Sequence, residues 1–235
     1  MRSSSSVALA VSIAAGGFAL PLAGQTGFEG VITFLGKPNG EGKVDTMIQT
    51  TKGSLLRLDM HAGGRHSENQ MIMVFDMKTR TMTMIMPAQQ MYMTNTLHLS
   101  DSAMTKDKGT VKFEDTGRSD VVAGTKCEIW AASRTDSNGV TKEGEACIAK
   151  GVGFAMFDAF GYGRRGSGDP AMAKYRQLVK EGMGVLKVWT IKDGNRVAEL
   201  EAINIDRKSI PSSTFEVPAG YKKFEMPSMQ RPPSP

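Results

Sequence analysis

The chain has 235 residues, of which 40% are hydrophobic, 23% charged and 7% aromatic. That is long enough to bury a core without metals or many disulfides, and too balanced for bulk disorder, collagen, coiled coil or repeated membrane spans. The net charge of +5 comes from lysines and arginines scattered among acids, with no basic stripe interleaved with aromatics, which excludes an ordinary nucleic-acid interface.

Residues 1–24 read as a secretory signal. Arg2 supplies a small positive start, residues 7–23 are apolar apart from Ser12, and Ala23-Gly24 offers small residues for cleavage. Removing them takes away one arginine and no acid, leaving +4. The mature chain is therefore expected in the periplasm or outside the cell. Cys127 and Cys147 are the two cysteines of the chain, and in an oxidising compartment pairing is the default. Strands at 125–133 and 143–150 flank the turn signal Asp136-Ser137-Asn138-Gly139. A hairpin centred on Ser137 would set Cys127 opposite Cys147.

Most of the remaining chain alternates as antiparallel strands. The pattern predicts strands at 28–35, 43–50, 55–61, 70–75, 81–86 and 90–96, with Pro87 ending the fifth because it lacks a ladder N–H. Residues 99–110 read as a loop, 111–114 as a short strand and 115–120 as a further loop. Glycines and phenylalanines then crowd 151–168. Asp169 as N-cap and Pro170 at the first helical position predict a helix over 170–181, with Met172, Tyr175 and Val179 on one face. A last hairpin at 186–192 and 196–206 turns at Asp193-Gly194-Asn195. A short strand at 214–217 follows, and residues 226–235 read as a proline-rich disordered tail. The expectation is a single α+β domain over 25–225, built on one strongly curved antiparallel sheet with one main helix packed on a face.

Eight methionines fall between residues 71 and 93. Met71-x-Met73, Met82-x-Met84-x-Met86 and Met91-x-Met93 alternate, and alternate residues of a strand share a face. Thr81 and Thr83 occupy the other parity, so the methionines are expected to point inward. Three readings follow from the pattern. The methionines are ordinary core, or a soft pocket for a variable apolar ligand, or thioether ligands for Cu(I) with help from His61 and His66. An open apolar cavity of about 300 Å3 or more would mark the second reading. Complete packing of the face would mark the first.

No catalytic constellation assembles. Gly161-Tyr162-Gly163-Arg164-Arg165-Gly166 matches G-x-G-x-x-G but lacks a βαβ context. Ser167 lacks a nucleophile elbow. His61, His66 and His98 have no metal-ligand spacing. Asp59-x-His61 imitates part of a triad without a nucleophile. The residues predict a protein that is not an enzyme and needs no cofactor.

Several motifs carry a resemblance. These are Phe28-Glu29-Gly30-Val31-Ile32, Arg57-x-Asp59, Met82-Thr83-Met84-Ile85-Met86-Pro87, Met91-Tyr92-Met93, Gly124-Thr125-Lys126-Cys127-Glu128-Ile129-Trp130 and Val217-Pro218-Ala219-Gly220-Tyr221. Together they resemble a bacterial envelope family known as domain of unknown function 4412, over nearly the whole mature chain. More distantly, the layout is similar to the periplasmic lipoprotein-carrier (LolA/LolB-like) superfamily. That likeness implies a half-open antiparallel barrel around helices, with an apolar cavity for acyl chains.

The reading that follows is an exported, non-enzymatic envelope protein. It would bind a lipid, acyl chain or lipidated peptide on a concave face lined by Met71, Met73, Met82, Met84, Met86, Met91 and Met93. The alternative is a structural module meeting an envelope protein partner, and a lower one is Cu(I) binding.

Overall fold

The computed structural model describes residues 27–36, 45–61, 70–96, 110–135, 139, 141–153, 177–178 and 181–225. The expected signal, the 170–181 helix apart from Gln177, Leu178 and Glu181, the G-x-G-x-x-G loop, Ser167, His66, His98 and the 226–235 tail lie outside them.

Twelve strands form one sheet: β1 Gly30–Gly36, β2 Asp45–Lys52, β3 Leu55–His61, β4 Gln70–Asp76, β5 Thr81–Met86, β6 Met91–Thr96, β7 Thr110–Val122, β8 Thr125–Thr135, β9 Thr141–Lys150, β10 Met183–Lys192, β11 Asn195–Arg207 and β12 Lys222–Lys223. Their order is β12-β6-β5-β4-β3-β2-β1-β11-β10-β9-β8-β7. Two antiparallel meanders, β1–β6 and β7–β11, are joined where β1 pairs with β11, Ile32 opposite Ile205 and Phe34 opposite Ala202. At that seam Gly30 is required, because a Cβ there would lie 2.3 Å from the Asp206 carbonyl oxygen.

The α+β class with a main helix, and the half-open carrier-like barrel with it, are corrected by this architecture. The described residues are almost all strand and form one large open sheet, with no main helix among them. On the β1–β6 half, the side away from the methionines is covered by the extended segment 208–225. Two prolines explain its form: Pro211 and Pro218 bracket a 3-10 turn, Ser212–Phe215, where a strand at 214–217 was expected. The expected loop at 115–120 is part of β7. Gly117 (φ 70°) forms a bulge there, with its N–H bonded to Asp115 Oδ1 at 2.9 Å and the Thr116 hydroxyl donating to the Ile129 carbonyl at 2.6 Å. Side chains that satisfy the backbone locally look like loop in sequence.

The sheet is apolar on both sides. On one side, Ile32, Phe34, Leu56, Leu58, Phe75, Ile129, Leu186 and Trp189 form the largest buried cluster. Cys127 and Cys147 belong to it and are bonded, with Cα atoms 5.4 Å apart. Here the hairpin register differs from expectation: Cys147 lies opposite Ile129 and the pair nearest the turn is Thr135 and Thr141, so the bridge runs diagonally. Closing a loop of 20 residues, it contributes roughly 3 kcal/mol.

On the other side, Ile72, Val74 and Ile85 are sealed by Ile210 and Phe215 of the C-terminal strap. Polar contacts pin that strap. The Ile210 N–H donates to Glu29 at 2.8 Å, and Lys52 donates to the Ile210 carbonyl. Arg57 donates to the Thr214 carbonyl at 2.8 Å while its Nε and Nη2 grip Asp59 at 2.8 and 2.7 Å. Lys222 and Phe224 N–H groups then bond Gln90 and Tyr92 carbonyls, making β12 a parallel cover for the edge of β6. Asp59 is buried, and hydrogen bonding to it, opposed by burial, raises the Arg57 pKa above an arginine's usual value.

Arg57→Leu is therefore expected to destabilise the protein by about 3 kcal/mol in urea unfolding, because it leaves a buried carboxylate unpaired and frees the strap. Arg57→Leu with Asp59→Leu should recover much of that loss. An unchanged midpoint in the single variant would show that the pair does not hold the strap.

Candidate functional site

The register turns the three methionine ladders into one surface. Met73 lies opposite Met84, Met84 opposite Met93 and Met86 opposite Met91. Met60 lies opposite Met71, and Met47 opposite Met60. Continuing the Ile72–Ile85 register by one residue sets Met71 beside Met86. All seven methionines expected at the site thus share one face of β4, β5 and β6. Met47 and Met60, which the sequence reading passed over, extend that face onto β2 and β3. Each is a single methionine in its strand, without an M-x-M pattern; only the pairing shows where they go. The remaining expected residues, Cys127 and Cys147, lie in the other half of the same sheet.

Burial separates this face from ordinary core. Met47 is 7% exposed, whereas Met60, Met73, Met82, Met84, Met86, Met91 and Met93 are half-buried and Met71 is 37% exposed. Met60, Met73 and Met82 pack against the main cluster. Met71, Met84, Met86, Met91 and Met93 join none of the three clusters of described residues. Of the opposite parity, Ile85 is 0% and Ile72 6% exposed, beneath the strap. Thr83 and Thr94 also lie on that side, their hydroxyls 3.0 Å apart. On β4 and β5 the strap thus makes the non-methionine side the better buried one.

Two turns support the ladders. Asp76 Oδ1 accepts N–H bonds from Lys78 at 2.8 Å and Thr79 at 3.3 Å, which shapes the link between β4 and β5. Pro87 opens a 3-10 turn that ends at Gln90 (φ 50°), which links β5 to β6. Slight burial pushes the Asp76 carboxyl up, but hydrogen bonds from Thr79, Lys78 and Ser54 outweigh it and hold the carboxyl below its ordinary value.

A polar cleft of about 240 Å3 lies elsewhere, on β7–β10, lined by Lys112, Glu114, Ser133, Glu143, Glu145 and Ile191 among others. Beside it, Glu145 pairs with Arg118 and, at 2.7 Å, with Arg196, which stacks on Trp189 with 4.0 Å between guanidinium carbon and ring centre. Asp59 is committed to Arg57 and so does not serve as the acid of a triad. Among the described residues, no group of three or more His, Cys, Asp or Glu side chains could hold a metal ion.

Two outcomes follow. Among the methionines of this face, Met71 is expected to oxidise first under limited peroxide treatment and Met47 last, read by peptide mass spectrometry, because exposure governs the rate. The Asp76 shift has a pH signature. A carboxyl with a lowered folded pKa contributes stability above its unfolded value, and that contribution fades as pH falls through the lowered one. The difference in urea midpoint between wild type and Asp76→Asn should therefore shrink on acidification; a constant difference would remove the charge from the explanation.

Among solved structures, that of PNGF-II in space group C2 is similar to this chain at 13% identity and a TM-score of 0.43, covering 84% of this chain. This chain spans 31% of that protein's length. No curated protein matches the sequence. The family described as Domain of unknown function (DUF4412) matches residues 28–221, from the β1 seam to the tyrosine that closes the strap. That match takes in Arg57-x-Asp59, the methionine ladders, the bridged hairpin and the terminal Pro-x-Gly-Tyr; the chain belongs to the DUF4412 family.

Proposed function

We propose that this protein acts by binding rather than catalysis, holding an apolar ligand such as a lipid, an acyl chain or a lipidated peptide on its methionine face. One observation carries the reading: a contiguous run of methionines across β3–β6 that is only half-buried, while Ile72, Val74 and Ile85 behind it are sealed by the strap. Single exposed apolar residues are normal, but a contiguous exposed apolar patch marks a binding surface. Methionine suits a ligand of variable shape. Its unbranched, polarizable side chain repacks at little cost and does not demand one geometry. Burying the patch would contribute roughly 25 cal/mol per Å2 of apolar area.

Export fits this reading. The signal-like residues 1–24 and the disulfide favour the periplasm or the extracellular space, where apolar molecules need carriers between membranes. The cleft near Glu145 is small and carries Lys112, Glu114, Glu143 and Glu145 on its walls, which suits an acyl chain less well than the methionine face.

The test is the mature protein purified gently from its own envelope, extracted with organic solvent and analysed by mass spectrometry. A near-stoichiometric lipid or acyl species is expected. In parallel, a fluorescent fatty acid should bind the delipidated protein, and Met84→Glu on the centre strand of the patch should weaken it strongly. A ligand-free extract together with no fatty-acid binding would overturn the proposal.

A further inference from the structure

We propose that Met73, Met84 and Met93 form a soft-metal site that takes Cu(I) through thioether sulfur alone. The three residues stand directly opposite one another on three adjacent strands, β4, β5 and β6. Directly opposed residues have Cβ atoms about 4.5–5.5 Å apart. A methionine has three rotatable bonds beyond Cα, so three thioethers in one such row can meet at a common point above the middle strand. All three are half-buried, which leaves access from one side and limits competing water. Leu58, opposite Met73 on the far side of the row, is fully buried and gives the site an apolar wall.

The donor chemistry selects the ion. Thioether sulfur is a soft, uncharged ligand that favours Cu(I) over Zn(II), Mg(II) or Ca(II). Other ligands are not gathered here: both cysteines are tied in the disulfide, and no group of three or more His, Cys, Asp or Glu among the described residues could hold a metal. Met71, Met82, Met86 and Met91 flank the row on the same face. They give the ion soft neighbours to move between as it arrives or leaves. Thioethers also carry no proton to lose, so binding releases none. That sets this site apart from thiolate, imidazole or carboxylate sites, whose affinity falls with acidification.

The proposal stands independently of the apolar ligand, because it is read from uptake of the metal alone. Leucine keeps roughly the apolar volume of methionine and removes the sulfur, a swap that packed interiors tolerate well. The full-length mature protein would be titrated anaerobically with Cu(I) against a chromophoric chelator, with native mass spectrometry for stoichiometry. Wild type should take up one Cu(I), and Met84→Leu should lose it. Met47→Leu, on the same face but outside the row, should keep the ion. If Met84→Leu folds poorly, judged by its urea midpoint, Met93→Leu on half-exposed β6 replaces it with the same expected loss. Absence of Cu(I) uptake by wild type, or uptake unchanged when Met84 or Met93 is replaced, would overturn the site.

Discussion

A sheet that is apolar on both faces needs cover on both, and the Arg57–Asp59 pair decides where the C-terminal cover goes. The guanidinium grips Asp59 with two nitrogens and uses the third on the Thr214 carbonyl. That single side chain therefore neutralises a buried carboxylate and ties down a segment 157 residues away in sequence. With the strap in place, Phe215 and Ile210 complete a core with Ile72, Val74 and Ile85, and β12 caps the edge of β6. A buried ion pair is costly to form, but once formed it is costly to break at one end, which makes it a good anchor for a segment with little regular structure.

The consequence for the opposite face is a division of labour along the sheet. Near the β1–β11 seam, Ile32, Phe34, Leu56 and Leu58 share a core with Cys127, Cys147 and Trp189 from the second meander. Toward β5 and β6 that core thins, and methionines replace branched aliphatics. Branched side chains pack into one arrangement, whereas methionine adapts. The composition of the face thus changes where its packing against the rest of the protein ends, as expected for a surface whose contacts vary.

Several family motifs acquire physical meaning in this arrangement. Arg57-x-Asp59 anchors the strap. In Phe28-Glu29-Gly30, the phenylalanine is buried in the main core, the glutamate holds the strap at Ile210, and the glycine permits close approach of β11. Val217-Pro218-Ala219-Gly220-Tyr221 turns the strap toward β6, with the Tyr221 N–H bonded to the Pro218 carbonyl and its ring against the sealed core. These residues hold the scaffold together, and none of them belongs to the methionine ladders.

Much of this was legible in the chain itself. Strict alternation marked β3 and β5 to the residue, Asp193-Gly194 marked the β10–β11 turn, and the M-x-M spacing placed seven methionines on a common side of their strands. Each of those signals is local: a side-chain period, a turn dihedral, a missing N–H. Where local signals misled, a distant contact had overridden them, as when β7 continued through a bulge or 214–217 became a strap turn. The sequence by itself determined the strands, the cysteine pair and the parity of the methionines, because these depend on neighbours within a few residues. Only the tertiary structure decided that Met47 and Met60 join the same face and that the C-terminal strap packs on the other side, over Ile72, Val74 and Ile85. Register and burial are set by partners far along the chain, and a side-chain period of two names two faces without saying which one will be covered.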